Sequence, residues 1–137
     1  MAEHPLAAFF VGSGYGKLLG ARVELIEDDH ARFSLPFRDE LVTVGDIVHG
    51  GAIAGLLDMA ATAAAWSTVR DMAGARGTTI GFSINYLEAA RGAEVVADAR
   101  VIRRGRQLIY LEVSLTSGDR EVARGLVTYK LDLPPKS

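Results

Sequence analysis

DIVHGGAIAGLLDMAATAAAW, residues 46–66, is the stretch whose reading decides the fold. Ile53, Leu56, Leu57, Ala60, Ala61 and Ala64 fall at i, i+3, i+4, i+7, i+8 and i+11, the spacing of one helix face. The opposite side is mostly Ala and Gly, so a helix from residue 50 to about residue 70 is expected to be buried nearly all round. Two features break the apolar pattern. His49-Gly50-Gly51 opens it, and Asp58 is the only Asp, Glu, Lys or Arg between Ile47 and Val69. An isolated carboxylate among apolar side chains is costly unless it is paired or used. A glycine turn at a helix N-terminus offers free N–H groups and positive dipole character to an anion or a polarised carbonyl. Together the two suggest an oxyanion-stabilising donor and a carboxylate suited to hydrolysis.

Working outward, residues 18–35 read as a β-hairpin. Ala21, Val23 and Leu25 alternate with Arg22 and Glu24, Asp28-Asp29 supplies the turn, and Ala31, Phe33 and Leu35 alternate again. Before it, His4 to Val11 reads as a short helix or hook ended by Gly12, Gly14 and Gly16. Residues 37–48 form a loop into the glycine turn. Beyond the helix, Thr78–Leu87 is a strand rich in β-branched and aromatic residues. Residues 93–103 form another, Arg103-Arg104-Gly105-Arg106 looks like a hairpin turn, and residues 108–115 and 122–131 complete a meander through Ser117-Gly118-Asp119. The tail from Leu133 to Ser137 is expected to fray. The expected class is α+β, a curved antiparallel sheet wrapped around one long buried helix. Such a sheet leaves edges and part of the helix uncovered, so a second copy is expected to cover them.

Composition bounds the rest. The 137 residues suit a single domain over 1–137, with its core in about 15–131. Hydrophobic content of 49% and charged content of 23% fit a soluble globular protein. A net charge of −2 gives no electrostatic support to a nucleic-acid role. There is no cysteine, which removes thiol nucleophiles, disulfides and thiolate metal sites and is compatible with the cytoplasm. The N-terminus reads poorly as a signal peptide. Residues 47–69 are long enough to raise a membrane span, but Asp58, Thr62 and three glycines weigh against it. Three scattered histidines have no metal-binding spacing, and His4 and His30 are expected at the surface.

The pattern resembles the hotdog fold, and within it the acyl-CoA thioesterases of the phenylacetate-degradation and 4-hydroxybenzoyl-CoA type. The resemblance covers roughly residues 15–131. It rests on His49-Gly50-Gly51, an acid nine residues after the histidine, and the strand ending Tyr86-Leu87-Glu88-Ala89-Ala90. It implies hydrolysis of an aromatic or medium-chain acyl-CoA by a homodimer or homotetramer (a dimer of dimers), without a cofactor. The Gly50 N–H would polarise the thioester carbonyl, and Asp58 would act as nucleophile or general base. Thr79 aligns best as the hydroxyl that orients the acid or water, with Thr78 possible. His49 would fix the loop by hydrogen bonding, and Gly51 and Thr78 would line the substrate. Many relatives carry an Asn or Gln before the glycine turn, where this chain has Thr43-Val44-Gly45-Asp46.

Helix geometry makes a further demand. Gly50 and Asp58 lie eight residues apart, roughly 12 Å along the axis and on faces about 80° apart. One carbonyl carbon cannot touch both from the same helix, so each site would combine Gly50 of one chain with Asp58 of the other. Arg103, Arg104 and Arg106 either form a solvated hairpin tip or contact the phosphates of coenzyme A. Trp66 and Tyr86 read as core or interface residues. Ala54, Met59, Thr62 and Ala63 leave room for an acyl group beside the helix. The competing reading is a non-catalytic acyl-CoA binding module, which has no need of an acid beside the thioester. A hotdog hydratase would carry Asp-x-x-x-x-His, and no histidine here has Asp five residues before it.

Overall fold

The computed structural model describes residues 4–135. Lys136 and Ser137, the end of the tail expected to fray, lie outside the described residues. The long helix, α3, runs Gly50–Trp66 after two short helices, α1 (Ala7–Gly12) and α2 (Gly14–Leu19), and a hairpin, β1 (Arg22–Glu27) and β2 (His30–Leu35). Four strands follow: β3 (Arg76–Tyr86), β4 (Val95–Arg104), β5 (Leu108–Ser117) and β6 (Arg120–Asp132). All pair antiparallel in one sheet of order β1-β2-β4-β5-β6-β3. This is the expected α+β architecture.

The sheet closes over α3 because its inner face alternates apolar residues against the apolar side of the helix. Phe33 and Leu35 of β2, Leu111, Val113 and Leu115 of β5, and Leu56 and Leu57 of α3 are at most 2% exposed. Burying one such side chain stabilises the fold by about 1.5–3 kcal/mol. One expectation needs correction. The helix is not covered all round: Gly51, Ala54, Gly55, Asp58, Met59 and Thr62 form a stripe left partly open.

The helix also stops at Trp66, short of residue 70, because its last carbonyls find other donors. Ser67 Oγ donates to Ala64 O at 2.6 Å, and Arg104 reaches the carbonyls of Ala65 and Ala64 at 3.0 and 3.3 Å. Asp29 N in turn donates to Ser67 Oγ at 2.8 Å, tying the β1–β2 turn to the helix end. Near the N-terminus, Gly12 ends α1, but Gly14 and Gly16 belong to a second helix, with Ser13 alone between the two. Ser13 Oγ accepts from Gly16 N at 3.1 Å and so caps α2, and Gly20, at φ 79°, closes it in a left-handed turn. The hairpin therefore begins at Arg22 and not at residue 18. The β4–β5–β6 meander is as expected, but β3 does not adjoin β4. It crosses to the far edge and pairs with β6 alone.

His30 is not at the surface. It is 7% exposed on the outer side of the sheet, its ring held between Glu27 Oε1 at 3.1 Å and Asp98 Oδ2 at 2.9 Å. Burial opposes a charge on Asp98, yet hydrogen bonds from His30 and Arg32 hold its carboxyl below its ordinary value.

Candidate active site

The glycine turn is built by His49. Its backbone is extended, its carbonyl accepts from Ala52 N and Ile53 N, and its Nδ1 accepts from Gly51 N at 2.7 Å. These bonds use the N–H groups after Gly50. Among the described residues the Gly50 N–H is given to no acceptor. The carbonyl of Gly50 accepts from Tyr86 Oη at 2.7 Å, which fixes the turn against the end of β3. A Cβ at Gly50 would stand 3.2 Å from the Tyr86 ring, so close packing and a free donor both belong to this position.

Asp58 lies two helical turns further on, in the open stripe. Thr79 Oγ1 donates to Asp58 Oδ1 at 2.6 Å, the only hydrogen bond the carboxylate accepts among the described residues. Thr79 rather than Thr78 faces the acid because of strand alternation. Thr79 pairs with inward-facing Tyr129, whereas Thr78 pairs with Lys130 and is exposed. A bulge between Thr79 and Gly81 then resets the strand, so that Ile84 again packs on the core.

Beside Asp58 lies a cleft of about 280 Å³, with Met59 and Thr62 on one wall, Phe9 and Phe10 of α1 on another, and Trp66, Gly77 and Tyr129 beyond. Of the small residues expected to make room for an acyl group, Met59 and Thr62 line this cleft, whereas Ala63 is buried and Ala54 is not part of it. Trp66 Nε1 donates to Tyr129 Oη at 2.7 Å. Burial pushes the Tyr129 hydroxyl up from its ordinary value; the Trp66 bond opposes this, and the negative charge of Asp58 adds to it. A second cleft, about 420 Å³, lies at the glycine end, lined by Tyr15, Leu18, Arg38, Leu41 and His49 among others.

The three arginines separate. Arg103 and Arg106 are exposed and form no ion pair among the described residues, whereas Arg104 is spent on the helix end and on Asp29 Oδ1 at 2.8 Å. Arg103 and Arg104 lie in β4, so the turn itself is only residues 105–107. Asp46, standing near the place of the upstream amide, is paired to Arg91 at 3.3 Å. Sequence reasoning passed over Tyr86 as an anchor of the turn and Tyr129 as a wall of the cleft. The Tyr86 bond joins residues 36 positions apart and leaves no local signal. Among the described residues no cluster of three or more His, Asp or Glu side chains could hold a metal ion, and no helix is long and apolar enough to cross a membrane.

The chain is similar to known proteins over most of its length. The family model described as the thioesterase superfamily matches residues 45–124, from just before the glycine turn into β6. A Halobacterium salinarum protein named "Putative esterase" is 34% identical over 107 residues, spanning 76% of this chain and 70% of its own. Acyl-coenzyme A thioesterase 13 of Mus musculus is 35% identical over 71 residues, 51% of this chain and 49% of its own. A solved structure of a conserved protein from Pseudomonas aeruginosa superposes with a TM-score of 0.84 at 30% identity, covering 92% of this chain and 99% of that one.

Proposed function

This chain belongs to the thioesterase superfamily, and from that premise we propose that it hydrolyses an aromatic or medium-chain acyl-CoA to the free acid and coenzyme A. The observation that carries the reading is the Asp58–Thr79 pair at the mouth of an apolar cleft. A structural acid would be sealed by its partners; this one keeps an oxygen without a donor among the described residues, beside a space fit for an acyl group. The phenylacetate and 4-hydroxybenzoyl types remain the nearest models for the substrate.

The site is completed by a second copy. On β3, Thr79 holds Asp58 and Tyr86 holds Gly50. These two strand positions are seven residues apart, about 23 Å at ~3.3 Å per residue. β3 is an edge strand, with Ile80 56% and Phe82 41% exposed. Antiparallel pairing of two β3 strands around Phe82 and Ser83 sets Thr79 against Tyr86 of the partner subunit. That pairing brings Asp58 of one protomer toward Gly50 of the partner subunit, and the two-fold axis makes two such sites. Ile102, Tyr110 and Leu126, exposed on the outer face of the sheet, suit the pairing of two dimers into a tetramer. The proposed place of action is the cytoplasm.

In the general-base route, Asp58 takes a proton from water as the water oxygen attacks the thioester carbon. The carbonyl oxygen becomes an oxyanion held by the Gly50 N–H, a type of donor whose removal typically costs about 3 kcal/mol. The C–S bond then breaks, and the thiolate of coenzyme A recovers the proton from Asp58. In the nucleophilic route Asp58 attacks the thioester carbon directly, the C–S bond breaks to release the coenzyme A thiolate, and water cleaves the resulting anhydride to the free acid and Asp58, with a proton passing to the thiolate. Arg103 and Arg106, exposed and without an ion pair among the described residues, are the side chains proposed to meet the phosphates of coenzyme A.

The test is thiol release from short, medium, long and aromatic acyl-CoAs, run beside Asp58→Asn. The expected result is hydrolysis that falls by about 10²- to 10⁴-fold in the variant while the oligomer stays folded. Binding of acyl-CoA without hydrolysis would replace this reading with a non-catalytic acyl-CoA binding module.

A further inference from the structure

On the premise that acyl-CoA binds beside Asp58, we propose that the hydrogen-bonded Trp66–Tyr129 pair is the end wall of the acyl pocket. It limits the acyl group to about one aromatic ring or a straight chain of the same length. The cleft is lined by Asp58, Met59, Thr62 and Trp66 of α3, by α1, by Ser13, and by Gly77 and Tyr129; Asp58, held by Thr79, is its charged group. Its far end is the Trp66 ring, locked by donation from Nε1 to the Tyr129 hydroxyl at 2.7 Å. Both side chains are nearly buried, at 7% and 3% exposed.

The wall stands over Gly77. A Cβ at that position would meet the Tyr129 hydroxyl and come within 2.8 Å of Trp66 Cζ2 and Nε1, so both groups press against the bare backbone of β3. Gly77 is two residues from Thr79, about 7 Å along the strand. Gly77 and Thr79 face the same side of β3, so this spacing sets the scale of the gap between the Asp58 carboxylate and the wall. A phenyl ring with its linking carbon fits this length, whereas a long straight chain meets the indole.

Two single substitutions move this wall in opposite directions. Trp66→Leu removes the ring and opens the end. Gly77→Ala pushes the Trp66–Tyr129 pair into the cleft and shortens it. The measurement is calorimetric affinity of the full chain for S-alkyl-CoA thioethers of increasing length, which bind without being hydrolysed. Hydrolysis of the matching acyl-CoAs is followed in parallel.

For the wild type, affinity is expected to rise about fourfold per methylene, the equivalent of ~0.8 kcal/mol, until the chain reaches the wall, and then to fall. In Trp66→Leu the first chain too long for the wild type should gain about fourfold or more, and in Gly77→Ala the fall should come at a shorter chain. An unchanged break point in both variants overturns the proposal. If Trp66→Leu does not fold, the direction of the shift in Gly77→Ala decides alone. The two readings fail separately. Hydrolysis with an unmoved break point removes the wall and keeps the thioesterase, and a moved break point without hydrolysis keeps the wall and removes the thioesterase.

Discussion

Thr79→Val replaces the one hydroxyl that touches Asp58 with a methyl of nearly the same shape. The bond it removes is short, 2.6 Å from Oγ1 to Oδ1, and ends on a carboxylate. Hydrogen bonds to charged groups contribute about 1.5–3 kcal/mol. If that energy holds the carboxylate in its reactive orientation, its loss reappears in the barrier. At about 1.4 kcal/mol per decade, kcat should fall roughly 10- to 150-fold. KM should change little, because Thr79 acts through Asp58 and does not hold the acyl group. Thr79→Ser keeps the oxygen on the same strand position and should recover most of the rate, which a purely structural role for the methyl would not allow. The assay is thiol release at saturating acyl-CoA for wild type, Thr79→Val and Thr79→Ser, with thermal melts to confirm folding. A Thr79→Val rate within about twofold of wild type, or a Thr79→Ser rate as low as that of Val, would refute the reasoning.

Arg103→Ala and Arg106→Ala should raise KM for CoA esters and leave short pantetheine thioesters unaffected; equal effects on both would remove the phosphate contact. Arg104→Ala should instead lower the melting temperature, because the carbonyls of Ala64 and Ala65 lose a charged donor, at a cost on the order of 1–3 kcal/mol. Gly125→Ala should destabilise by about 1–3 kcal/mol in urea unfolding, since its Cβ would lie 2.7 Å from the backbone oxygen of Ser83 and press on Leu57. Asp98→Asn gives a pH test. The carboxyl is held below its ordinary 3.8, so its charged form stabilises the fold above that pH, and the contribution is lost as pH falls through the lower folded-state value. The stability difference between wild type and Asp98→Asn should therefore be large near neutrality and shrink as the pH falls below 3.8; a difference that grows in acid would contradict it.

The helix and its turn were legible in the sequence because their signals are local. An apolar 3.6-residue period, a glycine pair and a single acid between Ile47 and Val69 suffice to place Gly50 and Asp58. The hairpin turns at Asp28-Asp29 and Gly118-Asp119 were legible for the same reason. What local patterns do not carry is long-range pairing. β3 lies next to β6, the partner of Thr79 is Tyr129, and nothing in residues 76–86 announces either. The choice between Thr78 and Thr79 depended on register, and register flips with one residue. His30 looked like a surface residue because its two carboxylate partners come from the end of β1 and from β4. Arg104 looked like part of a turn because its work, satisfying the end of α3, joins segments 39 and 40 residues apart. Ser13 did carry a readable cap signal, and the glycines around it hid the second helix.

The shared site is the central claim, and subunit complementation tests it most directly. Asp58→Asn homodimers and Gly50→Pro homodimers, the latter without the N–H at a first helical position where proline fits, are each expected to be inactive; they are mixed in equal amounts, unfolded and refolded together, and assayed for thiol release. If each site joins Gly50 of one protomer to Asp58 of the partner subunit, every heterodimer carries one intact site and one doubly altered site. Half of the dimers are heterodimers, so the mixture should recover about a quarter of the wild-type rate. If both residues act within one protomer, every site in the mixture keeps an alteration. A mixture as inactive as its two parents would contradict the account.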